Sequence, residues 1–183
     1  MRVAVCDYGA GNIRSVLAAL RRLDADARPT REPSDVLAAD LVVLPGVGSA
    51  ASAMAGLREY GLDTALCARG AAGDATLGIC LGLQLALDES EEDGGVRGLG
   101  LLPGRAERLR EGRVPRIGWA VVEPWGEAFY FAHSYAAMTG AATAHSEGVV
   151  AAAEAGSFLG VQFHPEKSGP AGARFLAGCL SRV

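Results

Sequence analysis

The chain has 183 residues, half of them apolar, with a net charge of -4 and a pI near 5.4. That length can core one domain, 1–183, and is short for two; the acidic balance excludes a phosphate-binding basic surface, so no nucleic-acid partner is expected. Four cysteines without a C-x-x-C pair, and three histidines, supply no metal-ligand spacing, so no metal and no cofactor are expected and free thiols in a reducing compartment fit.

Met1 leads straight into the strand-like Arg2–Cys6, with no leader pattern, and no apolar run approaches membrane-spanning length; the expectation is a cytoplasmic protein with no membrane partner. Ile13, Val16, Leu17 and Leu20 then recur at helical spacing as far as Leu23. Leu41–Leu44 is a second buried strand, ended by Pro45-Gly46-Val47-Gly48. Helices are predicted over Ala50–Glu59 and Leu62–Ala72, a third strand over 75–79, and a helix over 81–87. This alternation predicts an α/β fold, a parallel sheet with helices on both faces whose sites gather at the carboxyl ends of its strands.

Past Leu87 the acidic run 88–93 has the composition of a solvated face. Segments 105–110, 118–122, 129–132 and 142–153 then suggest antiparallel strands with turns, and 171–180 a closing helix. Alanine-rich stretches near 50–55 and 151–155 are compositional bias and not repeats.

The chemistry concentrates in two motifs 84 residues apart, Gly78-Ile79-Cys80-Leu81-Gly82 and His164-Pro165-Glu166. A strand that turns sharply into a helix between two glycines carries its apex side chain at the sheet edge, as in the nucleophile elbow of serine hydrolases, here with sulfur. The helix N-terminus favours a thiolate at Cys80, and the N–H of Leu81 is free to face an oxyanion. His164 supplies a base. Pro165 holds it extended, and side chains two apart on an extended segment share a side, so Glu166 is expected to fix the histidine tautomer. The glycines of the Pro45–Gly48 loop can turn a second N–H toward the oxyanion. His133, in an aromatic strand end, is either a second base or a packed residue; His145, Cys6, Cys67 and Cys179 have no motif around them. The one lysine among 17 basic residues is Lys167, directly after Glu166, a place that suits a compact ammonium.

Around these motifs the blocks Asp7 to Asn12, Leu44 to Gly48, Gly78 to Gln84, Pro115 to Trp119, Tyr130 to Tyr135 and His164 to Ser168 span nearly the whole chain. In them the sequence resembles the class I, triad-type glutamine amidotransferases, and within these the branch that serves imidazole glycerol phosphate synthase in histidine biosynthesis. The resemblance implies a flavodoxin-like fold with a mostly parallel central sheet and an antiparallel extension. It implies that Cys80 attacks the carboxamide of L-glutamine to give a thioester and ammonia, with His164 as acid and base and Glu166 as its orienter. Oxyanion donors fall on Val47 and Leu81, and substrate contacts on Gly46, Gln84, Glu92, His133 and Ser134, with Glu92 taking the α-ammonium. The implied partner is a HisF-type (β/α)8 cyclase that receives the ammonia, with Asn12, Trp119 and Lys167 facing it and its ligand stimulating the glutaminase. Arg116, Ile117 and Ala120 depart from the branch's usual residues. Two other readings stand beside this one. Another triad amidotransferase is disfavoured by the lack of Gly-Gly-Glu-Ser and by Leu83 before the elbow glutamine. A scaffold without catalysis is disfavoured by the intact Cys80, His164 and Glu166.

Overall fold

The computed structural model describes residues 1–9 and 11–183. Ala10, inside the turn from Asp7 to Asn12, lies outside them. In chain order the elements are β1 Arg2–Cys6, α1 Ile13–Arg21, β2 Asp26–Thr30, α2 Pro33–Ala38, β3 Leu41–Leu44, α3 Ala50–Glu59, α4 Leu62–Ala72, β4 Thr76–Ile79 and α5 Leu81–Ala86. There follow β5 Glu89–Ser90, β6 Val96–Arg97, β7 Arg105–Arg108, β8 Arg116–Val122, β9 Glu127–His133, β10 Tyr135–Met138, β11 Ala142–Ser146, β12 Val149–Ala155, β13 Phe158–Val161 and α6 Gly169–Leu180. Among the described residues no helix is long and apolar enough to cross a membrane.

The central sheet runs β11-β12-β13-β4-β3-β1-β2, parallel from β13 to β2 and antiparallel at β11 and β12. Its inner strands β1, β3 and β4 are mostly apolar because both faces are covered, with Arg2 and Thr76 at strand starts as the polar positions. Val3, Val5, Leu41 and Val43 pack with Val16, Leu17 and Leu20 of α1 and Leu176 of α6. Their strand neighbours Ala4, Cys6, Val42 and Leu44 point the other way, against α3 and α4. The mostly parallel sheet, the helices on both faces and the antiparallel extension are as the sequence implied.

Three expectations need correcting. Segment 142–153 is not one strand: Glu147 and Gly148, both at positive φ, close a two-residue hairpin between β11 and β12. The edge strand β2 and the short α2 were not anticipated. Helix α2 is held by tertiary contacts: the fully buried Arg69 of α4 donates to the carbonyls of Val36 and Ala39 at 2.8 and 2.9 Å, and to that of Ala75 at 2.8 Å. The acidic run is also more than a solvated face. Glu92 and Asp93 accept the N–H groups of Ala50 and Ala51 at 2.9 and 3.1 Å, and Ser49 accepts that of Ser52, so three free donors at the start of α3 are satisfied.

A separate hairpin, β8–β9, stands over the carboxyl edge of the sheet. Its inner face carries Phe129, Phe131 and His133, and Phe129 stacks on Phe163 with ring centroids 4.1 Å apart. Its outer face leaves Ile117, Trp119 and Val121 in solvent.

Candidate active site

Cys80 follows the end of β4, at φ 54° and ψ -107°, a left-handed conformation that costs a non-glycine residue energy and turns its side chain out of the sheet edge. The flanking glycines are obligatory. A Cβ on Gly82 would lie 1.9 Å from the carbonyl oxygen of Leu44, and one on Gly78 would lie 2.6 Å from the Phe158 ring. The N–H of Cys80 donates to the carbonyl of Val161 at 2.7 Å, which ties the elbow to β13. Leu81, first residue of α5, has an N–H with no intrahelical acceptor.

The adjacent strand β13 delivers His164 to the same edge. Its N–H donates to the carbonyl of Tyr130 at 2.8 Å, and the Ser168 hydroxyl donates to the His164 carbonyl at 2.7 Å while accepting the N–H of Tyr130 at 3.0 Å. Nδ1 of His164 lies 2.9 Å from Oε1 of Glu166, with both side chains almost wholly buried. The contact predicted for Glu166 is therefore present, but not by way of an extended segment: only His164 is extended, and Pro165–Lys167 form a 3-10 turn that swings Glu166 back under the ring. The amide of Asn12 also donates to that oxygen, at 3.3 Å. Burial disfavours a charged His164, but the Cys80 sulfur and the Glu166 carboxylate outweigh burial and raise it from 6.5 to about 9. Burial pushes the Cys6 and Cys179 thiols up to about 12 and also raises Cys67.

Cys80 opens on a pocket of about 230 Å³ whose walls include Val47, Leu81, Gln84, Glu92, His133 and Ser134. This is below the roughly 300–1,000 Å³ of drug-sized sites and suits a ligand the size of one amino acid. Most of the substrate contacts implied from sequence thus meet here. Gly46 is not on the wall: it presses against the elbow, where a Cβ would come within 2.5 Å of that of Leu81. Glu92 carries the wall's negative charge, and burial raises its carboxyl from 4.5. His133 is the packed histidine of the two alternatives. Because a carbonyl can only accept, its Nδ1 donates the hydrogen bond to Tyr135 at 2.9 Å, and burial lowers the ring to about 4, leaving it neutral with an unpartnered Nε2. The larger Arg116-lined groove beside this pocket contains none of the triad side chains.

The residues expected at a partner surface are also gathered. Trp119 is 59% exposed and stands edge-on to Tyr130 at 6.1 Å, with the Lys167 ammonium 5.9 Å from the other member of that pair, the Tyr130 ring. Asn12 joins them through its bond to Glu166.

Two participants escaped the sequence reading. The Tyr8 hydroxyl, buried, donates to the carbonyl of Pro45 at 2.5 Å and so tethers the Pro45–Gly48 loop to the loop after β1. Gln162 is fully buried with its amide nitrogen 3.5 Å from Cys80 Sγ. A signal for it existed: a glutamine between Val161 and Phe163, two residues before the histidine, shares the histidine's side of an extended segment.

Comparison with known proteins places this geometry. The model of the family "Glutamine amidotransferase class-I" matches residues 4–183. The chain is 45% identical over 186 residues to imidazole glycerol phosphate synthase subunit HisH of Methanothermobacter thermautotrophicus, covering 93% of each chain. It is 39% identical over 195 residues to imidazole glycerol phosphate synthase hisHF, chloroplastic, of Arabidopsis thaliana, covering 95% of this chain and 33% of that one. A crystal structure of a glutamine amidotransferase superposes with a TM-score of 0.84 at 23% identity over 99% of both chains, a likeness of fold.

Proposed function

The chain belongs to the class-I glutamine amidotransferase family, and from that premise we propose that it is the glutaminase subunit of an imidazole glycerol phosphate synthase, residues 1–183 acting as one amidotransferase domain. It hydrolyses L-glutamine and passes the ammonia to a cyclase that uses it in histidine biosynthesis.

The observation that carries the reading is Cys80, on its strained turn beside the buried His164–Glu166 pair, at the floor of a pocket bounded by Glu92. Glutamine enters with its α-ammonium toward Glu92 and its carboxamide over the sulfur. The thiolate attacks the carboxamide carbon, a C–S bond forms, and the oxyanion is met by backbone N–H groups of Val47 and Leu81. As the tetrahedral intermediate collapses the C–N bond breaks, and the His164 imidazolium gives its proton to the leaving nitrogen, releasing ammonia. Neutral His164 then takes a proton from water as it attacks the γ-glutamyl thioester. The C–S bond breaks, and glutamate leaves with the thiolate and imidazolium restored. Glu166 holds the imidazole in orientation throughout. Gln84, His133 and Ser134 hold the amino-acid part of the substrate, and Gly46 keeps the oxyanion loop close to the elbow.

Ammonia is useful only if it reaches the second enzyme before solvent, and the outer face of β8 suits such a neighbour. Ile117, Trp119 and Val121, 62, 59 and 47% exposed, form an apolar stripe next to Lys167 and Asn12, and a large exposed aromatic among charges is the composition of a docking centre. The hisHF relative supports a partner as well, since its matching stretch is a third of a longer chain. The partner read from these residues is a HisF-type (β/α)8 cyclase.

The test is glutamate release from glutamine by the chain mixed with such a cyclase and its nucleotide ligand, compared with Cys80→Ala. Wild-type activity and a silent variant are expected; activity in Cys80→Ala refutes the nucleophile.

A further inference from the structure

The orientation of one buried amide can be worked out from its neighbours. The carbonyl of Tyr135 can only accept, so the group of Gln84 that lies 2.7 Å from it is the amide nitrogen. That same nitrogen has a second hydrogen, and 3.1 Å away stands a terminal atom of Gln162, which must be the acceptor oxygen. The amide of Gln162 cannot then be flipped. Its nitrogen is turned to Cys80 Sγ at 3.5 Å, an ordinary separation for a nitrogen donor and a sulfur acceptor.

From this chain we infer that Gln162 is a positioning residue of the nucleophile, donating an N–H to the Cys80 sulfur from the side opposite the substrate. It is fully buried and does not line the glutamine pocket, so it touches the reaction only through that atom. The sulfur has neighbours of opposite character. As a thiol it can donate to the carbonyl of Ala132, 3.9 Å away. As a thiolate it has no hydrogen to give, faces that carbonyl dipole unfavourably, and gains from every donor aimed at it. His164 is one such group and Gln162 is the other. Gln162 also fixes the direction from which the sulfur lone pair meets the carboxamide, because its own oxygen is anchored through Gln84 to the backbone of β10. The wall of the pocket and the nucleophile are thus joined by one run of hydrogen bonds.

The inference rests on Cys80 being the nucleophile, and its test separates the two. Gln162→Met keeps the length of the side chain and removes the donor, while Gln84 retains its bond to Tyr135. Loss of one charge-assisted hydrogen bond is expected to lower kcat roughly 10- to 100-fold, to leave KM for glutamine within about twofold, and to move the pH profile of Cys80 alkylation by iodoacetamide to higher pH. A merely structural glutamine would lower the melting temperature without moving that profile. Wild-type kcat and an unmoved profile in Gln162→Met, with Cys80→Ala inactive, overturn the role of Gln162 alone; activity in Cys80→Ala overturns both. Should Gln162→Met fail to fold, the wild-type protein still answers. The side-chain amide protons of Gln162 are expected to shift in a ¹⁵N–¹H spectrum when iodoacetamide converts the Cys80 sulfur to a thioether, and resonances that stay in place refute the bond.

Discussion

Replacing Glu166 by glutamine keeps the shape of the side chain under His164 and removes its charge. In the wild-type protein burial works against a charged imidazole, and the Cys80 sulfur and Glu166 carboxylate overcome it, raising His164 from 6.5 to about 9. That rise corresponds to roughly 3 kcal/mol of preference for the protonated ring, little weakened by solvent because the His164 and Glu166 side chains are only 2 and 1% exposed. The folded value lies above that of the unfolded chain. The stabilisation is therefore complete below pH 6.5 and is lost as the pH rises through 9. In Glu166→Gln burial is opposed by the sulfur alone, and His164 is expected to titrate roughly one to two pH units lower. Proton NMR of the imidazole Cε1 protons measures this directly. The chain has three histidines, and the ring whose signal disappears in a His164→Asn variant identifies His164. Turnover should fall roughly a hundredfold or more as the ring loses its orienter, with the alkaline loss of stability diminished in the same variant. A Glu166→Gln protein whose histidine still titrates near 9 would refute this balance of burial and pairing.

Tyr8→Phe removes the donor from the Pro45 carbonyl; glutaminase turnover should drop several-fold with a smaller change in KM, and stability by roughly 1–3 kcal/mol, read by steady-state kinetics and urea denaturation. Arg69→Met strips the carbonyls of Val36 and Ala39 of the Arg69 donor and leaves that of Ala75 with the Val42 N–H alone; it should cost roughly 3 kcal/mol in urea, while activity below the transition stays near wild type. Trp119→Ala should leave the melting temperature of the isolated chain unchanged, the side chain being 59% exposed, and weaken binding to the cyclase roughly 30-fold or more in a titration.

Where local pattern and final environment coincide, the sequence was informative. Strands β1, β3 and β4 are apolar apart from Arg2 and Thr76 at their starts because they are covered on both faces, and α3 and α4 have the bounds their periodicity predicted. Strand β2, with the sequence DARPT, was opaque: it pairs on one side only, so it can carry polar residues and a proline whose missing N–H goes unneeded. Helix α2 has six residues and rests on an arginine from another helix, a support no local window contains. At the site, the elbow and the histidine–carboxylate spacing were legible because each lies within a few residues. The correction at Glu166 has a specific cause: proline sets the conformation of the residue before it, whereas the chain after it was free to turn. Glu92 was legible as a residue of the pocket wall only through the resemblance; its composition pointed to solvent, and its acceptance of the Ala50 N–H depends on a helix 42 residues away. Tyr8 reaches the Pro45 carbonyl through a long-range contact that carries no motif, and Gln162 was marked only by its spacing from His164.

The central claim is that glutamine is opened by Cys80 through a covalent intermediate. It is tested most directly by acid quench of the chain turning over glutamine in the presence of the cyclase and its ligand, followed by mass spectrometry of the peptides containing Cys6, Cys67, Cys80 and Cys179. A hydroxylamine-labile γ-glutamyl adduct on Cys80, absent from the other three thiols and from His164-bearing peptides, is the predicted result. Turnover with the adduct on another residue, or with none on Cys80 under conditions where deacylation is slowed, would contradict it.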